Sequence, residues 1–139
     1  SLPPQAFPAV APSLPPGDRI DHVLSWCRPD QNLYPFYWID PMEPDAEGQI
    51  ALAVQKGIMG FKVICDRYYP GDPRALEVFS AIAATHRPIL FHSGILWDGK
   101  PSSPYNRPAA FETLLEVKGL RFSLAHIAWP WCDEANAHK

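Results

Sequence analysis

Two histidines close short apolar runs in this 139-residue chain: P-I-L-F-H ends at His92, and L-R-F-S-L-A-H ends at His126. A third run, G-F-K-V-I over 60–64, carries Lys62 in its interior. Imidazole nitrogens suit zinc, and an ammonium set in an apolar strand is costly unless it is paired or put to use. In parallel α/β folds, ligands and catalytic groups gather at the carboxyl ends of the strands. Imidazoles at the ends of two neighbouring strands, ~4.8 Å apart, can reach one cation at the ~2.0–2.1 Å of a Zn–N bond. Two donors do not make a tight site, so at least one more is required. Plainer structural readings compete. A strand-end histidine often serves only as a hydrogen-bonded residue, and Lys62 could face water from an edge strand.

The loop after His92, I-L-W-D-G-K-P-S-S-P-Y-N-R-P, is long enough to shape a pocket. Within it Arg107 can grip a carboxylate with two parallel bonds, while Tyr105 and Asn106 offer neutral hydrogen bonds. Trp97, Trp129 and Trp131 either wall a site or cover the end of the core. Asp98 is a general-base candidate, although an Asp before Gly is more often a turn residue. Equally, 106–108 could simply open the next helix. His22, His86 and His138 are assigned no function.

These groups need elements to position them. Residues 1–17 hold six prolines and read as an extended arm or loop. From there the chain alternates helix and strand four times. The helices are expected over 18–28 (capped by Asp18), 45–56 (closed by Gly57), 72–86 (capped by Asp72, with Pro73 in the first turn) and 108–117. The strands are expected over 33–39, 60–65, 88–92 and 120–126. Strands separated by such helices pair in parallel. Alternation places Leu120, Phe122 and Leu124 on the face of His126, Leu90 on that of His92, and Lys62 on that of Gly60. The pattern fits an open doubly wound sheet or half of a barrel.

Composition narrows the partners. A net charge of −3 gives no electrostatic reason to expect nucleic acid or an anionic membrane. No apolar run reaches transmembrane length, and the first residues lack the basic-then-apolar order of a signal peptide. Cys27, Cys65 and Cys132 are odd in number and far apart, which favours a reducing, cytoplasmic setting over a disulfide framework or zinc knuckle. The expected partner is a small molecule.

I-D-P at 39–41, G-F-K-V-I at 60–64, P-I-L-F-H-S-G at 88–94, R-P at 107–108 and L-R-F-S-L-A-H at 120–126 together resemble the amidohydrolase superfamily. The closest branch holds predicted TIM-barrel metal-dependent hydrolases and enzymes of the aminocarboxymuconate semialdehyde decarboxylase type. The resemblance covers residues 18–139. It implies an incomplete (β/α)₈ TIM barrel in which the strands present are the third to the sixth. It also implies a divalent metal, usually zinc, on His92 and His126, with Lys62 a further ligand if carboxylated. Lys62, Trp97, Tyr105, Asn106, Arg107 and Trp129 become the substrate-binding candidates. The family's first-strand His-x-His pair has no counterpart here, and its late aspartate, which acts as base, would lie beyond Lys139; strands one, two, seven and eight are missing.

The implied activity, for the full-length protein, is hydrolysis of an amide, ester or lactone bond in a small acidic molecule. Two alternatives are metal-dependent non-oxidative decarboxylation on the same scaffold and a non-catalytic half-barrel acting through binding. A bare half-barrel, with two open sheet edges and an apolar inner face, is expected to self-associate, as a homo-oligomer or by aggregation.

Overall fold

A computed structural model describes residues 2–5 and 14–137. The proline-rich stretch is helical only from Pro16. Residues 2–5, 14 and 15 are irregular, while the rest of the expected arm, like His138, lies outside the described residues. The first helix, α1 (Pro16–Cys27), begins two residues before the expected cap. Pro15 stands at the N-cap and Pro16 pre-sets the first turn, so Asp18 sits inside that turn and favours the helix dipole from there.

The following elements alternate as the sequence implies: β1 (Phe36–Trp38), α2 (Ala46–Lys56), β2 (Gly60–Val63), α3 (Pro73–Ala84) and β3 (Ile89–Phe91). Gly57 ends α2 in the left-handed conformation at φ 102°, and the Asp72 carboxylate caps α3 by accepting from the Arg74 and Ala75 amides. The stretch expected as a fourth α-helix is instead a 3-10 helix over Pro108–Glu116. The last strand, β4 (Phe122–Leu124), is followed by a 3-10 turn over Ala125–Ala128 and a six-residue helix, α4 (Cys132–Ala137). Every strand is shorter than its apolar run.

All four strands are parallel, in the order β1-β2-β3-β4. The register aligns Tyr37, Phe61, Ile89 and Phe122 in one row, with Val63, Phe91 and Leu124 in another; these residues and the helices form the core. Phe91 is its centre, meeting the rings of Phe79, Phe111 and Phe122 edge-on at 5.2–5.9 Å. The alternate rows point the other way: Phe36 with Gly60, then Trp38, Lys62, Leu90 and Ser123. Gly60 is required there, because a Cβ would meet the Phe36 ring at 2.5 Å. The helices thus cover one face of the sheet, and the second face carries the half-buried Lys62 and Leu90. Among the described residues, no helix is long and apolar enough to cross a membrane.

Candidate metal centre

His92 lies one residue beyond β3, on the face of Lys62 and Leu90, and is buried to 9% exposure. Its main-chain amide continues the ladder by donating to the Val63 carbonyl. His126 arrives by another route. The strand expected to run to residue 126 stops at Leu124, and Phe122 and Leu124 belong to the core side. Continued alternation would have sent the His126 side chain with them, into the helix layer. Instead His126, Ile127 and Ala128 all adopt positive φ (62°, 50° and 53°), which turns the chain back over the strand ends. The face read from period-2 spacing is therefore corrected: the turn, and not the strand, brings His126 to His92.

The result is a pair of imidazoles with centroids 5.2 Å apart, inclined at 56°. The loops carrying them are stitched together. The Ser93 hydroxyl donates to the Ala125 carbonyl, the Ile95 amide to the Trp129 carbonyl, and the Gly94 amide to the Asn106 carbonyl. Gly94 has φ 91°, and a Cβ there would run into the Trp129 carbonyl oxygen.

Electrostatics keep His92 unprotonated and so able to offer a ring lone pair. Burial, reinforced by the Lys62 ammonium and by His126, lowers the His92 pKa to about 4, so its ring is neutral at physiological pH. Its Nε2 is buried and has no hydrogen-bond partner. A neutral imidazole with an unsatisfied nitrogen fits a metal ligand, since an idle buried acceptor costs about 1–3 kcal/mol. Burial also lowers the Lys62 pKa, and among the described residues no carboxylate pairs with that ammonium. On the donor count the fit is partial. Among the described residues, no group of three or more His, Cys, Asp or Glu side chains surrounds one point.

The other sequence candidates divide. Trp97 and Trp129 form an exposed stacked pair, centroids 6.5 Å apart, on the same two loops as the histidines. Asn106 is fully buried and is a structural clamp: its Nδ2 donates to the Cys65 and Ser102 carbonyls, tying the loop to the end of β2. Tyr105 packs edge-on against Tyr69 at 4.8 Å. Arg107 is committed elsewhere, with Nε donating to Glu134 at 3.0 Å and its guanidinium over the Trp131 ring. Asp98 behaves as a turn residue, accepting from the Lys100 amide and the Ser102 hydroxyl.

Sequence reading passed over one cluster. Asp40, after β1, and Asp66, after β2, are both buried, and Arg67 bridges them at 2.7 and 2.8 Å. These are the same strand ends that carry the histidines further along the sheet. The available signal was an aspartate directly after each apolar run, which the Asp-Pro turn at 40–41 disguised as punctuation. No protein-family model, curated protein or solved structure matches this chain.

Proposed function

We propose that the chain is part of a metal-dependent hydrolase built on a (β/α)₈ barrel, with His92 and His126 as two of the metal ligands. The observation that carries this reading is the imidazole pair at 5.2 Å with one buried, neutral and unpartnered nitrogen. A divalent metal such as zinc, when bound there, would acidify a water and polarise a carbonyl.

The chain's own residues do the rest. Lys62, on the same face and without a carboxylate partner among the described residues, attracts an acidic substrate group. Its lowered pKa also raises the share of free amine, the form that could be carboxylated into a further ligand. Trp97 and Trp129 form an apolar rim over which a substrate body can lie. Arg107, exposed but paired with Glu134, is the second candidate for that acidic group. The proton acceptor belongs outside this set.

The experiment is a panel of esters, lactones and amides, with and without a carboxylate, assayed with the full-length protein in zinc-containing buffer. Turnover of acidic members is expected, with loss of at least ~100-fold in kcat/KM in His92→Ala. Lys62→Met should raise KM for acidic members and spare neutral ones. Carbon dioxide release without hydrolysis would instead establish the decarboxylase reading.

A further inference from the structure

Two buried oxygens in the loop after β3 have no hydrogen-bond partner. Asn106 is fully buried, and its Nδ2 spends its hydrogens on the Cys65 and Ser102 carbonyls at 2.8 and 3.1 Å. Those two bonds fix which end of the amide is nitrogen, so the atom left over is Oδ1, an acceptor. Asp98 is arranged alike. Its Oδ1 accepts from the Lys100 amide and the Ser102 hydroxyl at 3.1 and 2.9 Å, while its Oδ2 is buried and accepts nothing. Ser102, 1% exposed, holds both side chains, with its hydroxyl on Asp98 and its carbonyl on Asn106. Buried acceptors are rarely left unmet, and two tied to one serine point to a shared occupant.

Charge defines that occupant. At the neighbouring strand ends, Asp40 and Asp66 are met by Arg67 at 2.7 and 2.8 Å, and Lys100 places its ammonium 3.9 Å from Asp66 Oδ2. Two carboxylates and two cations balance. Asp98 has no ionic partner among the described residues, so its loop keeps one negative charge uncompensated. A charge withdrawn from water is costly unless it is paired. Both waiting atoms are oxygens, which suit a hard cation and not a zinc-like one. One carboxylate matches a single positive charge, whereas a divalent ion would leave a buried excess.

We infer that Asp98 Oδ2 and Asn106 Oδ1 bind an alkali-metal cation, potassium or sodium, inside this loop. The cation pins the loop where it is already tied down: Asn106 joins it to the end of β2, and the Gly94 amide donates to the Asn106 carbonyl at 2.8 Å. The same loop carries Trp97, which stacks on Trp129, so the cation orders one half of that aromatic pair. Its ligands are separate from the two imidazoles, and the inference stands whether or not the imidazoles bind zinc.

Thermal unfolding of the full-length protein in potassium or sodium chloride, against choline chloride at equal ionic strength, tests it. At least one alkali salt should raise Tm by about 2–4 °C over choline. Thallium(I), a potassium mimic, should give a bound thallium NMR signal that the effective alkali ion displaces. Asp98→Asn keeps the acceptor for Lys100 and Ser102 but removes the charge. It should abolish both the Tm difference and the bound signal while far-UV circular dichroism stays native. Lys100→Gln alters a side chain that is 54% exposed, and it frees Asp66 from its ammonium. It should tighten cation binding at least ~threefold, and it decides the matter should Asp98→Asn unfold. His92→Ala should bind thallium as the wild type does, which separates this result from that of the zinc site. Equal Tm in all three salts with no bound thallium, or an Asp98→Asn protein that binds like the wild type, would overturn the inference. Stabilisation by calcium chloride alone would overturn the single-charge assignment.

Discussion

At the scale of the residue, His92 is the most informative side chain, because its environment sets its charge. The folded chain keeps it neutral down to about pH 4, whereas an ordinary imidazole takes up a proton near 6.5. Between those values the unfolded state holds the extra proton. Stability is therefore fully present above pH 6.5 and is lost as pH falls towards 4. This one group should make the metal-free protein about 2 kcal/mol less stable at pH 5 than at pH 7. Urea unfolding at the two pH values checks it: His92→Asn should lose most of that difference, and an unchanged difference would place the titration elsewhere. The residue types were legible from sequence: two strand-end histidines and a lysine inside a strand. The Arg107 ion pair was not legible, because its partner, Glu134, lies 27 positions away and only folding brings the two together. The clamp made by Asn106 was hidden for the same reason, since the Cys65 carbonyl that fixes it is 41 positions away.

At the scale of the element, local rules worked where local chemistry decides. Asp72 with Pro73 opens α3, and Gly57 closes α2, as capping requires. Local rules failed at β4, where an apolar run to residue 126 was read as one strand. The strand ends two residues early because three consecutive residues adopt positive φ, a conformation that Ile127 disfavours and that sequence pattern does not announce. The surrounding loops must hold that turn in place, and Gly94 is the point of closest approach. Gly94→Ala should push the Trp129 carbonyl away, cost about 2–3 kcal/mol in thermal or urea unfolding, and separate the two imidazoles. A variant with wild-type stability would show that the turn does not depend on this contact. The 3-10 helix at Pro108–Glu116 was likewise beyond period counting, because an apolar stripe of that length serves either helix.

At the scale of the whole molecule, the sequence disclosed four α/β units and their parallel pairing, but not how the sheet is completed. Propensity and capping act within a few residues, whereas the packing of the second sheet face depends on contacts between residues far apart in sequence. The strand ends nevertheless converge, with Asp40, Asp66 and Arg67 on one flank and His92 and His126 on the other. The central claim is that the two imidazoles form a metal site, and isothermal titration of zinc into the metal-free protein tests it most directly. The wild type is expected to bind zinc, and His92→Ala and His126→Ala should each weaken binding at least ~100-fold with the fold intact. Zinc binding equal in the wild type and both variants, or no binding by the wild type, would contradict it.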